Sequence, residues 1–85
     1  MANNGRKIAD WERAIEHRSD IDFDCINLKN GYVVSAIGTI QQPSKRRVRG
    51  RIVMKTRRVR WNQFGTCTSI YGQTNSDLTG YNIKF

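Results

Sequence analysis

The segment from residue 45 to residue 60 constrains this 85-residue chain more than any other feature. Nine of its sixteen residues are basic and none is acidic: Lys45, Arg46, Arg47, Arg49, Arg51, Lys55, Arg57, Arg58 and Arg60. Apolar residues such as Val48, Ile52 and Met54 lie between them, whereas a disordered basic tail is poor in such residues. The charge is therefore expected on a folded surface, where it can attract a polyanion.

The alternation within this segment is typical of a half-buried β-strand. The basic residues from Arg47 to Arg57 share one parity, and most residues of the other parity are apolar. After Arg57 the parity inverts, and Val59 and Trp61 become the apolar positions. One extra residue near Arg57 and Arg58, a β-bulge, would return all the arginines to one face. We therefore predict a single bent strand with one continuous cationic face.

The net charge of +8 is unevenly distributed along the chain. Residues 1–24 carry four basic and six acidic groups, whereas residues 25–85 carry eleven basic groups and only one acid, Asp77. The length suits one domain with one modest core, residues 1–85, in which residues 1–23 form an N-terminal segment and residues 24–85 the β-structure. No apolar run approaches the ~18 residues of a membrane span, so we expect a soluble, cytoplasmic protein without a membrane partner.

The N-terminal segment contains one short helical pattern, over residues 10–18. Ile8, Trp11 and Ile15 recur at helical spacing, and Asp10 is a candidate N-cap. A helix this short is unstable by itself in water. We therefore expect its Trp11 side to dock on the sheet.

The remainder of the chain alternates between strand patterns and turn signals. Strands are predicted at 24–29, 32–40, 45–60, 66–71 and 80–85, with an Asn30-Gly31 hairpin turn after the first and a loop at 41–44. The predicted fold class is α+β, mainly β, with the N-terminal helix packed on a small antiparallel SH3-like barrel or strongly curled sheet. The predicted core is Trp11, Ile15, Ile26, Leu28, Val33, Ile37, Ile52, Met54, Val59 and Trp61.

A family resemblance covers about the last 35 residues. It is carried by Gly50–Val53, Arg58–Asn62, Gly65, Tyr71-Gly72 and Tyr81–Ile83. This order of glycine, strand, tryptophan and turn resembles the small SH3-like barrels of the Mind-bomb/HERC type, and it implies their fold more than their function. Asn62 and Asn82 stand where that family has acids, so its recognition of protein tails is not carried over. In size and charge the chain also resembles phage or mobile-element accessory proteins.

Residues for catalysis or metal binding are sparse. His17 is the only histidine, and Cys25 and Cys67 do not form a C-x-x-C pair, so we predict no enzyme, no metal site and no cofactor. Both cysteines are expected to be buried free thiols. The alternating acids from Asp20 to Asp24 lack the glycine and terminal glutamate of an EF-hand loop.

Nucleic-acid binding is the leading functional prediction. The nine basic residues of segment 45–60 would contact the phosphate backbone of DNA or RNA, since arginine binds phosphate oxygens in pairs. Trp61, Phe64, Tyr71 and Tyr81 could stack on bases, although Trp61 shares the apolar parity of the core. The alternative is a non-enzymatic interaction module or inhibitor that docks on an acidic partner protein. A structural part of a ribonucleoprotein or virion, and a homodimer through a sheet edge, are also left open.

Overall fold

The computed structural model describes residues 5–85 as one antiparallel sheet with short helices beside it. The elements are α1 (Ile8–Ala14), β1 (Ile21–Lys29), β2 (Tyr32–Val48), β3 (Arg51–Asn62), β4 (Cys67–Ser69) and a 3₁₀ helix (Ser76–Tyr81). The strand order is β1-β2-β3-β4. The mainly β fold with one short α-helix is as predicted. A closed barrel is wrong, because within residues 5–85 the strands β1 and β4 are the two edges of an open sheet.

The first hairpin turn is the one that the sequence predicts. Asn30 and Gly31 both have positive φ, 55° and 82°, and Lys29 pairs with Tyr32 across the turn. Two successive left-handed residues form the tight turn that suits the twist of a hairpin. Asparagine and glycine are the residues that enter this conformation most readily.

A second hairpin turn lies inside the segment predicted to be one strand. Arg49 and Gly50 have φ of 55° and 78°, and Val48 pairs with Arg51. The basic segment is therefore divided between β2 and β3, and the predicted single strand is wrong. The predicted loop at 41–44 is also wrong, because those residues belong to β2.

The predicted bulge near Arg57 and Arg58 is absent from β3, whose pairing with β2 is continuous from Asn62 to Met54. The irregularity lies on β2 instead, where Pro43 pairs with Met54 and Arg47 with Ile52. Three residues of β2, 44–46, therefore lie opposite one residue of β3. Proline has no N–H to donate to the partner strand, which is why such breaks in pairing collect at proline.

The core lies on one face of the sheet. Its buried apolar members are Trp11, Ile21, Val33, Ala36, Ile40, Val59, Trp61, Cys67, Leu78 and Ile83. Phe23 meets Trp11 and Trp61 edge to face, with ring centroids 5.7 and 5.1 Å away. These three rings join α1 to the centre of the sheet.

The predicted core is correct in part. Trp11, Val33, Val59 and Trp61 are fully buried, and Ile15 and Ile26 pack against the core. Ile37 is half-buried. The exposed exceptions are Leu28, Ile52 and Met54, and Cys25 is exposed as well, in contrast to buried Cys67.

The two ends of the described chain differ from the predictions. The helix begins after Lys7 rather than Asp10 and ends at Ala14. The last predicted strand is replaced by the 3₁₀ helix and an irregular segment, 82–85. The buried side chains of Leu78 and Ile83 attach this segment to the core. Residues 5–85 contain no helix with the length and apolarity that crossing a membrane requires.

Candidate nucleic-acid interface

The distal part of the β2–β3 hairpin, residues 43–56, projects as an arm from the rest of the protein, the body. Every arm residue except Ser44 is exposed. The molecule measures 53 × 26 × 18 Å, and its radius of gyration is 14.1 Å. A compact domain of this length has a radius of about 12 Å. The hairpin therefore extends beyond the core that stabilises it.

The arm carries most of the predicted contact residues. Six of the nine lie on it: Lys45, Arg46, Arg47, Arg49, Arg51 and Lys55. The other three, Arg57, Arg58 and Arg60, continue along β3 over the body. The arm contains no acidic residue, whereas the rest of the chain has nine basic and all seven acidic residues. The excess positive charge of the protein is therefore concentrated at one end.

The pairing of the two strands distributes these cations over both faces of the arm. Arg47 pairs with Ile52, while Arg51 pairs with Val48. Paired residues share a face and neighbours along a strand alternate, so Arg47 and Arg51 lie on opposite faces. Arg58 lies on the face of Arg47, which we call the outer face. The predicted single cationic face is therefore wrong.

The opposite, inner face is continuous with the core side of the sheet. Arg51, Lys55 and Arg57 share this face with the buried residues Val59 and Trp61 farther along β3. The same face of β3 is therefore packed on the core in the body and is cationic and exposed to solvent in the arm.

Four large apolar side chains are also exposed on the arm. Val48 and Ile52 are each 53% exposed, Met54 is 52% exposed and Val53 is 39% exposed. Ile52 and Met54 lie on the outer face, and Val48 and Val53 on the inner face. The prediction of Ile52 and Met54 as core residues is wrong because β3 has no bulge near Arg57, so both lie on the face opposite buried Val59 and Trp61. Clustered exposed apolar groups of this kind mark interaction surfaces.

The C-terminal 3₁₀ helix supports the root of the arm, which is formed by Gln41 and Gln42 of β2 and Arg57 of β3. The Asp77 carboxylate forms an ion pair with Arg57, whose Nη1 lies 2.8 Å from Oδ2. The backbone carbonyl of Asp77 accepts a 3.1 Å hydrogen bond from Gln42 Nε2. The Tyr81 hydroxyl donates to the carbonyl of Gln41 at 2.9 Å. These contacts tie both strands of the hairpin, at the point where the arm begins, to the C-terminal segment. Sequence analysis did not identify this support, since it links residues some 20 to 40 positions apart.

An acidic side of the root lies along β1. Asp22 pairs with Thr39, and the backbone N–H of Gln41 donates to the carbonyl of Asp20 at 2.9 Å. Arg18 binds the carboxylate of Asp20 with two 2.9 Å hydrogen bonds. These hydrogen bonds lower the pKa of Asp20 and raise that of Arg18. The pair remains ionised at neutral pH.

Two of the four residues predicted to stack on bases, Trp61 and Tyr81, are instead packed and hydrogen-bonded within the fold. Trp61 is fully buried, and its Nε1 donates to the carbonyl of Tyr81 at 2.9 Å. Tyr81 is half-buried, its pKa is raised by burial, and its hydroxyl bonds to β2. Phe64 and Tyr71 are 65% and 88% exposed, but both lie outside the arm. The arm itself carries no aromatic residue.

Comparison with protein-family models, with curated proteins and with solved structures gives no match. The resemblance of residues 50–85 to SH3-like barrels stays a prediction.

Proposed function

We propose that this protein binds nucleic acid through the basic β-hairpin arm, in an accessory or regulatory role. The observation that carries the proposal is the concentration of six cations, without an acid, on a hairpin that projects from the body. Neutralised phosphates release condensed counterions, and this release drives binding. A projecting arm brings many such contacts to one ligand.

The composition of the arm supports a binding role over a role in solubility. A face that only keeps a protein soluble mixes both signs of charge and exposes few large apolar groups. The arm has one sign of charge and four exposed apolar side chains. Four of its six cations are arginines, whose planar guanidinium binds phosphate oxygens in pairs.

The body determines how a ligand can approach the arm. The root contacts of Asp77 and Tyr81 hold the hairpin in one direction. Asp22 lies beside the root on the β1 side, where its carboxylate repels phosphate, whereas the charge of Asp20 is neutralised by Arg18. A nucleic acid is therefore expected to contact the tip and the β3 side, where Arg58 and Arg60 extend the cationic surface.

The second candidate function is an interaction module for an acidic partner protein. The exposed Val48, Ile52, Val53 and Met54 favour it, because protein interfaces combine a small apolar centre with a polar rim. Charge complementarity would accelerate association with an acidic surface just as it does with nucleic acid. Polyglutamate is a simple probe that separates acidic polypeptides from phosphates.

A salt titration with random-sequence duplex, single-stranded DNA and polyglutamate tests the proposal. We expect binding to nucleic acid whose log affinity falls linearly with log salt concentration. The triple variant Arg47→Ala/Arg49→Ala/Arg51→Ala should lower the slope on duplex DNA by about 2.7 units, if each residue neutralises one phosphate.

The matched control removes three cations from the body: Arg13→Ala/Lys29→Ala/Lys84→Ala. It has the same net charge as the arm variant, and we expect a smaller change in slope. Equal affinity and slope for the arm variant and the wild type would reject the proposal. Tight binding to polyglutamate without binding to either nucleic acid would establish the interaction module instead.

A further inference from the structure

We infer that the arm lies inside the major groove of B-form duplex DNA, rather than along the outside of a phosphate backbone. This inference rests on the proposed function and specifies its ligand. Its first support is the placement of cations on both faces of the hairpin, Arg47 and Arg58 on the outer face and Arg51 and Lys55 on the inner face.

A two-faced ribbon fits a groove better than a single backbone. A strand that follows one backbone presents one face to it, and cations on the other face would point to solvent. A ribbon inside a groove has a phosphate backbone on each side. Cations on both faces then each reach a phosphate, while Arg49 at the turn leads into the groove.

The dimensions of the arm indicate which groove of a nucleic-acid duplex can hold it. Two paired strands are about 4.8 Å apart, and six residues of β3 beyond the root span about 20 Å. The major groove of B-DNA is about 12 Å wide and admits a two-stranded ribbon, whereas the minor groove is about 6 Å wide. The major groove of A-form RNA is deep and narrow. B-form DNA is therefore the duplex that accommodates the arm with its side chains.

The exposed apolar side chains supply the second support. Val48 and Ile52 flank the turn and are half exposed on opposite faces. The floor of the major groove carries the thymine methyl groups, which make favourable contacts with apolar side chains. Insertion would remove Val48 and Ile52 from water, whereas contact with phosphates alone would leave them exposed.

The break in pairing between Pro43 and Arg47 is consistent with this placement. Bulges bend a hairpin and increase its right-handed twist. A right-handed twist allows a ribbon to follow the groove of a right-handed duplex over several base pairs. Lys45 and Arg46 lie within this irregular stretch, and their side chains extend the cationic surface toward the root.

Two double variants test whether both faces touch phosphate. The outer-face variant is Arg47→Ala/Arg58→Ala and the inner-face variant is Arg51→Ala/Lys55→Ala. We expect each to lower the salt slope on duplex DNA by about 1.8 units, the value for two lost phosphate contacts. A loss confined to one of the two faces would overturn the groove inference while leaving nucleic-acid binding in place.

The groove itself is tested with modified duplexes of one sequence. Bulky substituents at the C5 position of pyrimidines fill the major groove and should weaken binding by at least about tenfold. A small-molecule ligand that occupies the minor groove should leave the affinity unchanged, and duplex RNA should bind at least about tenfold more weakly than duplex DNA. Competition by the minor-groove ligand, or equal affinity for duplex and single strands, would overturn the inference.

The apolar contacts are tested by Val48→Ser/Ile52→Ser. Affinity for duplex DNA should fall on the order of tenfold with an unchanged salt slope, since no phosphate contact is lost. Circular dichroism and thermal unfolding check that the body remains folded. An unchanged affinity would overturn the inference. If the wild type binds no nucleic acid at low salt, the proposed function itself fails, which is distinct from all the outcomes above.

Discussion

The body and the arm use the same strand in opposite ways. On the inner face of β3 the residues Val59 and Trp61 are fully buried, whereas Val53, nearer the turn, is 39% exposed. The body covers one face of the sheet with α1 and the C-terminal segment, and the arm extends past this cover. In the body the apolar residues of β3 attach the strand to the core, whereas in the arm the apolar residues of the same alternating pattern are part of a candidate binding surface.

Replacement of one apolar residue in each region should produce the largest contrast. Trp61→Ala removes a fully buried ring that contacts Phe23 and donates a hydrogen bond to Tyr81, so we expect a loss of ~3 to 5 kcal/mol in the free energy of unfolding. Ile52→Ala on the same strand should cost less than about 1 kcal/mol. Urea titration of both variants measures the difference. Equal losses would show that the arm packs as a core element.

The turns show why the sequence predicted the body better than the arm. Asn30-Gly31 is a strong hairpin signal, and it was placed correctly. Arg49-Gly50 lacks that signal, because arginine rarely adopts positive φ and glycine also fits an apolar position in an alternating strand. A two-residue turn pairs residues of opposite parity, here Val48 with Arg51. Unbroken alternation across such a turn therefore places Arg47 and Arg51 on opposite faces.

The charge of the candidate interface was predictable, but its shape and support were not. The nine basic residues are read directly from the sequence. The contact of Asp77 with Arg57, and that of Tyr81 with Gln41, depend on how the C-terminal segment folds back over the sheet. The last strand was predicted wrongly, since local patterns do not distinguish a short edge strand from a 3₁₀ helix attached to the core through Leu78 and Ile83.

Loosening the root should separate arm geometry from body stability. Asp77→Asn weakens the ion pair with Arg57, and Tyr81→Phe removes the hydrogen bond to Gln41. An exposed ion pair and a single hydrogen bond each contribute about 1 kcal/mol or less, so the free energy of unfolding should change little in both variants. Amide hydrogen exchange should instead accelerate at and beside the root, in residues 41–42 and 54–57. Unchanged exchange rates at these residues would show that the contacts of Asp77 and Tyr81 do not hold the hairpin in its orientation.

Acidification should destabilise the body through Asp20. Its pKa is lowered from 3.8 by the hydrogen bonds from Arg18, so the folded state binds this proton more weakly than the unfolded state. The stabilisation is therefore present above about pH 4 and is lost as the pH falls through the lowered value. The Asp20→Asn variant should show a shallower loss of stability below pH 4, measured by thermal unfolding. An identical pH profile in the variant would contradict this role for the pair.

The two cysteines provide the smallest and most local contrast, between the two faces of the sheet within the body. Cys67 pairs with Trp61 and is buried, and burial raises its pKa from 9.0 to about 11. Cys25 is exposed on β1, where it pairs with Ile37. Because the thiolate is the reactive form, a thiol reagent at pH 8 should label Cys25 in the folded protein and Cys67 only after unfolding.

Mass spectrometry of the labelled peptides measures both rates, and Cys25→Ser supplies the matched control that isolates Cys67. The folded state holds the proton of Cys67 more tightly than the unfolded state, so this thiol contributes stability below pH 9 that is lost as the pH rises toward 11. Labelling of both cysteines at equal rates in the folded protein would show that the core opens beside Trp61. Protection of Cys67 alone would confirm that, at this edge of the body, one face of the sheet is closed to solvent while the other is open.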